Sequence, residues 1–162
     1  MAHQYTLDCE KITHEFSPGV VEDEEPLLRL LYVPEHVDVK TNRVIETAIP
    51  LVDLKSRGLS LDRLAFAKKG IIQERMKQQM IRDPDKRKEA SLAKFCCSDI
   101  RSIVDTDSGV RKNLVIDDAM EINIAHASIF SHKEMGNGAL RKQRAVLLEY
   151  LQDRYCLDAL FN

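Results

Sequence analysis

The spacing of apolar residues changes along the chain, and this change predicts a domain that mixes strands with helices. Residues 27–33 are apolar except for Arg29, which is typical of a short buried strand. Residues 59–64 alternate with a period of two, so Arg63 and Asp62 are expected on opposite faces of a second strand. Both predicted strands therefore carry charged side chains among apolar ones.

Two other segments have the spacing of amphipathic helices. Over residues 69–83 an apolar residue recurs every four positions from Ile72, among many basic residues. The C-terminal segment 139–162 carries an apolar stripe made of Leu140, Leu147, Leu151 and Tyr155. Such a stripe packs either against the protein's own core or against another chain, and the second alternative makes these residues candidates for partner binding.

Shorter apolar runs predict the remaining strands at 44–49, 92–97, 114–116 and 122–130. The predicted fold class is α+β, a mostly antiparallel sheet of roughly five or six short strands with an inserted basic helix and a C-terminal amphipathic helix. We expect a single domain made of an N-terminal arm with an acidic connector (1–25), an α+β core (26–135) and the C-terminal helix (139–162).

The composition is that of a globular protein. Of the 162 residues 44% are hydrophobic and 31% are charged, and the apolar runs are too short to cross a bilayer. The four cysteines form neither a disulfide framework nor a paired metal-binding motif, and the first residues lack the pattern of a secretion signal. We therefore expect no metal ion, no cofactor, no membrane association and a cytoplasmic location.

Charge is distributed unevenly although the net charge is only −2. Residues 1–56 carry 5 basic and 11 acidic side chains (−6), residues 57–101 carry 12 and 6 (+6), and residues 102–162 carry 7 and 9 (−2). Such a split indicates either a surface that meets a partner or two parts of one chain that face each other.

The basic segment 68–94 has two interpretations. It is typical of the solvated face of an ordinary helix, and it is also typical of a surface that contacts nucleic-acid phosphates. The nucleic-acid interpretation rests on Lys68, Lys69, Arg75, Lys86, Arg87 and Lys88.

Three segments resemble a family of small uncharacterised bacterial proteins. The first is the predicted strand at 28–34. The second, at 58–63, is similar to that family's Leu-Ser-Val-Asp-Arg segment, and the third, at 123–129, is similar to its Asn-x-Ala-His-Ala segment. Residues 117–123 depart from the family pattern, since they read Asp-Asp-Ala-Met-Glu-Ile-Asn where Asp-Pro-x-x-x-Asn is expected. The resemblance implies a compact bacterial α+β domain, encoded beside a larger partner, and it carries over no activity.

The same segments hold polar residues in apolar surroundings, where a charge is stable only when it is paired and hydrogen-bonded. One hypothesis is structural: Arg29 or Arg63 pairs with Asp62 or Asp117, and His126 joins the same network. The other hypothesis is functional and makes one pocket in which arginine holds an anion and histidine exchanges a proton. That pocket is formed by Ser60, Asp62, Arg63, Asn123 and His126.

No specific catalytic motif is present, so the leading functional hypothesis is a non-catalytic cytoplasmic module that acts with a larger partner protein. The setting we expect is a bacterial mobile-element or defence-type cassette. The first alternative is an enzyme or a ligand-binding pocket that uses Arg63, Asp62 and His126 on a phosphate-bearing or nucleic-acid substrate. The second alternative is nucleic-acid binding through 68–94. The sequence leaves the oligomeric state open.

Overall fold

A six-stranded antiparallel sheet forms the centre of the computed structural model, which describes residues 5–132 and 135–161. The strands are β1 (Pro26–Pro34), β2 (Leu59–Arg63), β3 (Arg87–Cys96), β4 (Asn113–Asp117), β5 (His126–Ser131) and β6 (Arg154–Tyr155). Their order across the sheet is β4-β5-β2-β1-β3-β6, and all neighbours are antiparallel. The predicted α+β fold class is confirmed.

Helices and short turns connect the strands. The α-helices of the described residues are α1 (Lys69–Arg82), α2 (Cys97–Arg101), α3 (Asn137–Tyr150) and α4 (Leu157–Leu160). Two 3-10 turns, at Leu7–Lys11 and Glu46–Ala48, and a π-helical turn at Asp53–Arg57 lie in the connections. The helix α1 ends where the sequence predicts, because the residue before Pro84 is disfavoured in helical geometry.

The two faces of the sheet are covered by different helices because the strands alternate. On one face Leu61 of β2 belongs to the main core together with Leu140 and Leu147 of α3. On the other face Leu28 of β1 belongs to a smaller cluster with Ile72 of α1. The alternation of β2 therefore decides which of its polar residues lie beside α1 and which lie on the side of the main core.

The C-terminal segment differs from its prediction. The helix α3 ends at Tyr150 instead of spanning 139–162, and Tyr155 lies in the short strand β6, which pairs with β3. For the apolar stripe of Leu140, Leu147, Leu151 and Tyr155 the sequence left two alternatives open, packing in the chain's own core and binding to another chain. Its three leucines are 0%, 2% and 2% exposed and pack in the core of their own chain. These three leucines therefore do not form a free surface. The sequence could not decide between the alternatives, because an amphipathic pattern does not reveal what the helix packs against.

Two predicted strands are also revised. Residues 44–49 form no strand: Val44 makes an isolated bridge with Val37, and a 3-10 turn follows. The strand predicted at 122–130 begins only at His126, because Met120 and Asn123 close a tight turn before it. Both segments are apolar enough for a strand, and tertiary pairing decides against it.

The N-terminal arm is fastened to the sheet. The Glu10 carboxylate accepts hydrogen bonds from Arg101 at 2.8 Å, from Arg111 at 2.9 Å and from the backbone N–H of Val115 at 2.9 Å. Residues 1–4 of the predicted arm lie outside the described residues. Of the helices that the structure describes, none has both the length and the apolar character needed to cross a bilayer.

Candidate functional site

A polar cleft opens on the α1 face of the sheet where β1 and β2 separate. The two strands pair at Leu27–Arg63 and Leu28–Asp62 and no further along β1. Arg29 and Ser60 border the opening, and both line a cleft of about 470 Å³. The remaining lining comes from β1 and its following turn, the connection that holds Thr47 and Pro50, Asp62 of β2, α1, β3, Met120 and the first residue of β5, His126.

Arg29 bridges the opening between the strands. Its Nη1 donates to the carbonyl oxygen of Ser60 and its Nη2 to that of Ala48, both at 3.0 Å. Its Nε is buried without a hydrogen-bond partner, and no carboxylate of the described residues lies at ion-pair distance. Burial lowers the pKa of Arg29, although the more distant carboxylates of Asp53 and Asp62 act in the opposite direction. The protein therefore solvates this cation with carbonyl groups but does not neutralise it.

A second unsatisfied group lines the same cleft. Tyr32 is 5% exposed, and its hydroxyl is buried with no hydrogen-bond partner in the described part of the chain. Burial raises the pKa of Tyr32, so the hydroxyl is protonated and can donate. The Arg87 guanidinium lies over the ring, 5.3 Å from its centroid.

The cleft wall also contains a charged pair whose members neutralise each other, Arg87 and Glu35, with His36 beside it. Arg87 Nε donates to Glu35 Oε2 at 2.6 Å, and this hydrogen bond holds the pKa of Glu35 below its usual range. His36 Nδ1 accepts from the backbone N–H of Tyr32 at 3.1 Å, and its Nε2 lies 3.7 Å from Glu35 Oε2. Burial, with Arg29 nearby, lowers the pKa of His36 to about 4, so the ring is neutral.

Asp62 ties α1 and the segment before β5 to β2. It is 2% exposed, and each of its carboxylate oxygens accepts from Arg75 Nη2 at 3.0 Å. Its Oδ1 also accepts from Asn123 Nδ2 at 2.8 Å. The Asn123 Oδ1 in turn accepts from the backbone N–H of Ala125 at 3.2 Å. Asp62 is thus satisfied, and it fixes Arg75 in the cleft wall.

His126 lines the cleft and is oriented by Asp118. Its Nδ1 lies 2.9 Å from the backbone oxygen and 3.4 Å from Oδ2 of Asp118, and that Oδ2 also accepts from Ser128 Oγ at 3.1 Å. Burial opposes protonation of the imidazole, but hydrogen bonding to Asp118 outweighs it and raises the pKa of His126. The same contact lowers the pKa of Asp118. His126 is therefore a group able to carry positive charge at the cleft near neutral pH.

The structure divides the five predicted pocket residues between the two faces of the sheet. Ser60, Asp62 and His126 line the cleft, and Asn123 supports Asp62 from the neighbouring surface. Arg63 lies on the opposite face, so the prediction that it shares a pocket with the other four was wrong. The alternation of the strand is the reason, since adjacent residues point to opposite sides.

Arg63 is a structural residue on the side of the main core. It is 1% exposed; its Nε donates to Glu25 Oε2 at 2.7 Å and its Nη1 to Asp117 Oδ1 at 3.1 Å. Its guanidinium also donates to the carbonyls of Gly19 at 2.6 Å and Val20 at 3.0 Å. The Arg63–Asp117 pair is one of the pairings that the structural hypothesis proposed.

Most of the basic residues proposed for nucleic-acid binding are paired within the chain. The pairs are Lys69 with Asp158, Arg75 with Asp62, Lys86 with Asp83 and Arg87 with Glu35. Arg75 and Arg87 line the cleft. Nucleic-acid binding by the whole set, which includes Lys68 and Lys88, stays a prediction.

Sequence reasoning missed Tyr32, Glu35 and His36 as cleft residues. They lie at the end of β1 and in the turn after it, and the pairing of Pro34 with Arg87 brings them to β3. The available signal was Arg29, an arginine in an otherwise apolar run of the same strand, which marks the strand as lying beside a polar space.

Neither a metal-ligating cluster nor a reactive Cys97 thiol is found among the described residues. Among the described residues no group of three or more His, Cys, Asp or Glu side chains is placed to hold a metal ion. The Cys97 thiol is buried, and burial raises its pKa to about 12, which removes it as a nucleophile at neutral pH. The cleft is lined by Arg29, which has no carboxylate at ion-pair distance among the described residues, and by two arginine–carboxylate pairs, Arg75–Asp62 and Arg87–Glu35.

Comparison with protein-family models, with curated proteins and with solved structures finds no match to this chain in any of the three. The resemblance to small bacterial proteins therefore stays a prediction.

Proposed function

We propose that the protein binds a small anionic molecule, bearing a phosphate or carboxylate group, in the polar cleft. The observation that carries the proposal is Arg29, a cleft-lining guanidinium with an unpartnered buried Nε and no carboxylate at ion-pair distance among the described residues. An ion removed from water is stable only when it is well compensated, and a bound anion supplies the missing compensation.

The donors around Arg29 support an anionic ligand. The Tyr32 hydroxyl is a protonated donor with no partner in the described structure. Within the described residues Arg75 uses only Nη2 for hydrogen bonds, both to Asp62, and its side chain is 30% exposed. Arginine donors match the planar geometry of carboxylate and phosphate oxygens. The volume of about 470 Å³ falls in the range of about 300–1,000 Å³ that is usual for small-molecule sites.

The observations that first favoured a protein partner have an explanation inside the chain. The apolar stripe of α3 is buried, and the acidic and basic parts of the sequence pair with each other. These pairs are Arg63–Glu25, Arg87–Glu35, Arg101–Glu10 and Arg101–Asp23. A larger protein partner, a cytoplasmic location and a bacterial cassette stay predictions.

The test is the binding of inorganic phosphate, measured by calorimetry and by thermal unfolding. At about ten times its Kd, phosphate is expected to raise the free energy of unfolding by about 1.4 kcal/mol, and the melting temperature by about 3–6 °C. Sodium chloride at the same ionic strength controls for screening of surface charges.

Tyr32→Phe is the most informative variant, because it removes a hydroxyl that has no hydrogen-bond partner in the described structure. We expect this variant to fold as the parent does and to bind phosphate about tenfold more weakly, as for loss of a hydrogen bond to a charged group. Tyr155→Phe, in the edge strand β6 and outside the cleft lining, is the matched control.

Arg29→Gln should abolish phosphate binding. This variant also loses the hydrogen bond from Arg29 to the Ser60 carbonyl, which links β1 to β2. If that loss prevents folding, Arg75→Gln takes its place in the test. Two results contradict the proposal. One is the absence of saturable binding of phosphate, pyrophosphate or citrate by the unmodified protein. The other is phosphate binding of unchanged affinity in both Tyr32→Phe and Arg75→Gln.

A further inference from the structure

An apolar groove lies beside the polar cleft. It has a volume of about 440 Å³ and runs between α1, which contributes Ile71, and the turn before β5. On the turn, Met120 is 41% exposed and Ile122 is 78% exposed, although both are large apolar side chains. The structure thus leaves apolar surface uncovered at the edge of the cleft.

The groove and the cleft adjoin each other. Arg75 and Met120 line both of them, so these two side chains form the boundary between the polar and the apolar space. Arg75 is fixed at that boundary by its two hydrogen bonds to Asp62.

The wall of the groove is built in advance of any ligand. Met120 and Asn123 exchange two backbone hydrogen bonds, each of 3.0 Å, which close the turn. The Asn123 side chain anchors this turn to β2 through its 2.8 Å hydrogen bond to Asp62. A preformed wall reduces the conformational entropy lost on binding.

We propose that the anion bound in the polar cleft carries an apolar alkyl, acyl or aryl body that lies in the groove of Ile71, Met120 and Ile122. This inference rests on the proposed function and specifies the ligand class as a soluble, monomeric molecule with one anionic end and one apolar end. The polar cleft supplies Arg29, and the adjoining groove supplies apolar contact.

The charges of the groove fix the direction in which such a molecule lies. Glu74 lines the groove but not the polar cleft, and its carboxylate is bonded to Gln78 Nε2 at 3.2 Å. Glu74 has no cationic partner among the described residues and repels an anionic group, whereas the cleft carboxylates of Asp62 and Glu35 are paired with Arg75 and Arg87. An anionic group is therefore directed to the arginine side. The Glu74 carboxylate disfavours an anionic membrane surface across the groove, and for this reason the proposal is a soluble molecule.

The experiment compares straight-chain alkyl phosphates, from methyl to hexyl phosphate, with inorganic phosphate by titration calorimetry below their critical micelle concentrations. We expect the affinity to rise about two- to fourfold for each methylene that enters the groove. In Ile122→Ser the factor by which each methylene raises the affinity should fall towards one, while the affinity for inorganic phosphate stays as in the parent.

Ile81→Ser is the matched control, because Ile81 is 80% exposed on the same helix as Ile71 but lines neither space. It should keep the full increment per methylene. Both serine substitutions replace exposed side chains, so both variants are expected to remain folded.

The outcomes separate this inference from the proposed function. Phosphate binding without any gain from the alkyl chain overturns the amphiphilic ligand and leaves the anion site standing. If the affinity still rises with chain length in Ile122→Ser, the alkyl chain lies elsewhere, and the proposal of an amphiphilic ligand in this groove is overturned. Binding to anionic vesicles without binding of monomeric alkyl phosphates overturns it as well. The absence of binding by every phosphate contradicts both proposals together.

Discussion

At the scale of single residues, Arg29 and Arg63 differ in what surrounds the guanidinium rather than in where they stand in the sequence. Both arginines occur in short, mostly apolar strands. Arg63 has two carboxylates and two backbone carbonyls as partners, whereas Arg29 has two carbonyls alone. Because the Arg63 partners lie 38–54 positions away in the sequence, local pattern cannot distinguish the two cases.

We predict that Arg63→Met destabilises the protein strongly without acting on the cleft directly. The substitution leaves Asp117, which is 0% exposed, without its cationic partner. Breaking a buried ion pair by removing one member costs about 3–5 kcal/mol of the free energy of unfolding. Denaturant unfolding measures this loss, and phosphate titration of the folded fraction should give the parent's Kd.

The matched control for this prediction is Arg141→Met, because Arg141 is exposed on α3. Its stability should stay within about 0.5 kcal/mol of the parent. A loss below about 1 kcal/mol for Arg63→Met would show that the buried pair contributes little, in disagreement with the structural role assigned to it.

At the scale of secondary-structure elements, the sequence predicts those elements whose own periodicity is strong. The α1 helix and the alternation of β2 follow from spacing alone. The strand expected at 44–49 and the long C-terminal helix fail for different reasons. The first has apolar residues but no neighbouring strand to pair with, and the second is cut short when β6 adds to the edge of β3. Both outcomes depend on tertiary contacts that local spacing does not contain.

We predict that Gly58→Ala disrupts the start of β2. Gly58 has φ of +86°, and a Cβ there would lie 2.8 Å from Phe130 Cζ and 2.8 Å from Ser128 Cβ in β5. Backbone strain and the clash act together, so a loss of about 2–4 kcal/mol in the free energy of unfolding is expected. Gly138→Ala in α3, where no atom beyond the adjacent residues and the helix's own backbone lies within 4 Å of the added methyl, should instead be neutral or stabilising by up to about 1 kcal/mol. Equal stability of the two variants would contradict the prediction.

At the scale of the whole molecule, the candidate site was only partly predictable because its members come from distant parts of the chain. Ser60, Asp62 and His126 are adjacent across β2 and β5, and their polar character in apolar segments marked them in the sequence. Their separation from Arg63 was also implied by strand alternation. For Tyr32 and His36 the sequence offered only the indirect signal of Arg29 in the same strand, because their participation depends on where β1 and β2 stop pairing and on how β1 aligns with β3.

The stability of the whole molecule is expected to depend on pH through two histidines of the cleft that act in opposite directions. The pKa of His36 is lowered to about 4 by burial, with Arg29 and Arg87 acting in the same sense and Glu35 opposing them. The pKa of His126 is raised: burial alone would lower it, but Asp118 outweighs burial. The contribution of His126 is therefore present at low pH and is lost as pH rises through its folded-state pKa.

His36 dominates the acidic side of this profile because the unfolded chain takes up a proton near pH 6.5 whereas the folded protein takes it up only near pH 4. Its protonation would also place a donor, Nδ1, against the backbone N–H of Tyr32. Lowering the pH from about 7 to about 5 should therefore reduce the free energy of unfolding by about 2 kcal/mol through His36 alone. Urea unfolding at these pH values should give a loss that is smaller by about 2 kcal/mol in His36→Gln than in the parent. His14→Gln, an exposed control, should follow the parent. If the free energy of unfolding falls equally with pH in all three proteins, His36 is not held neutral in the folded protein, which contradicts the prediction.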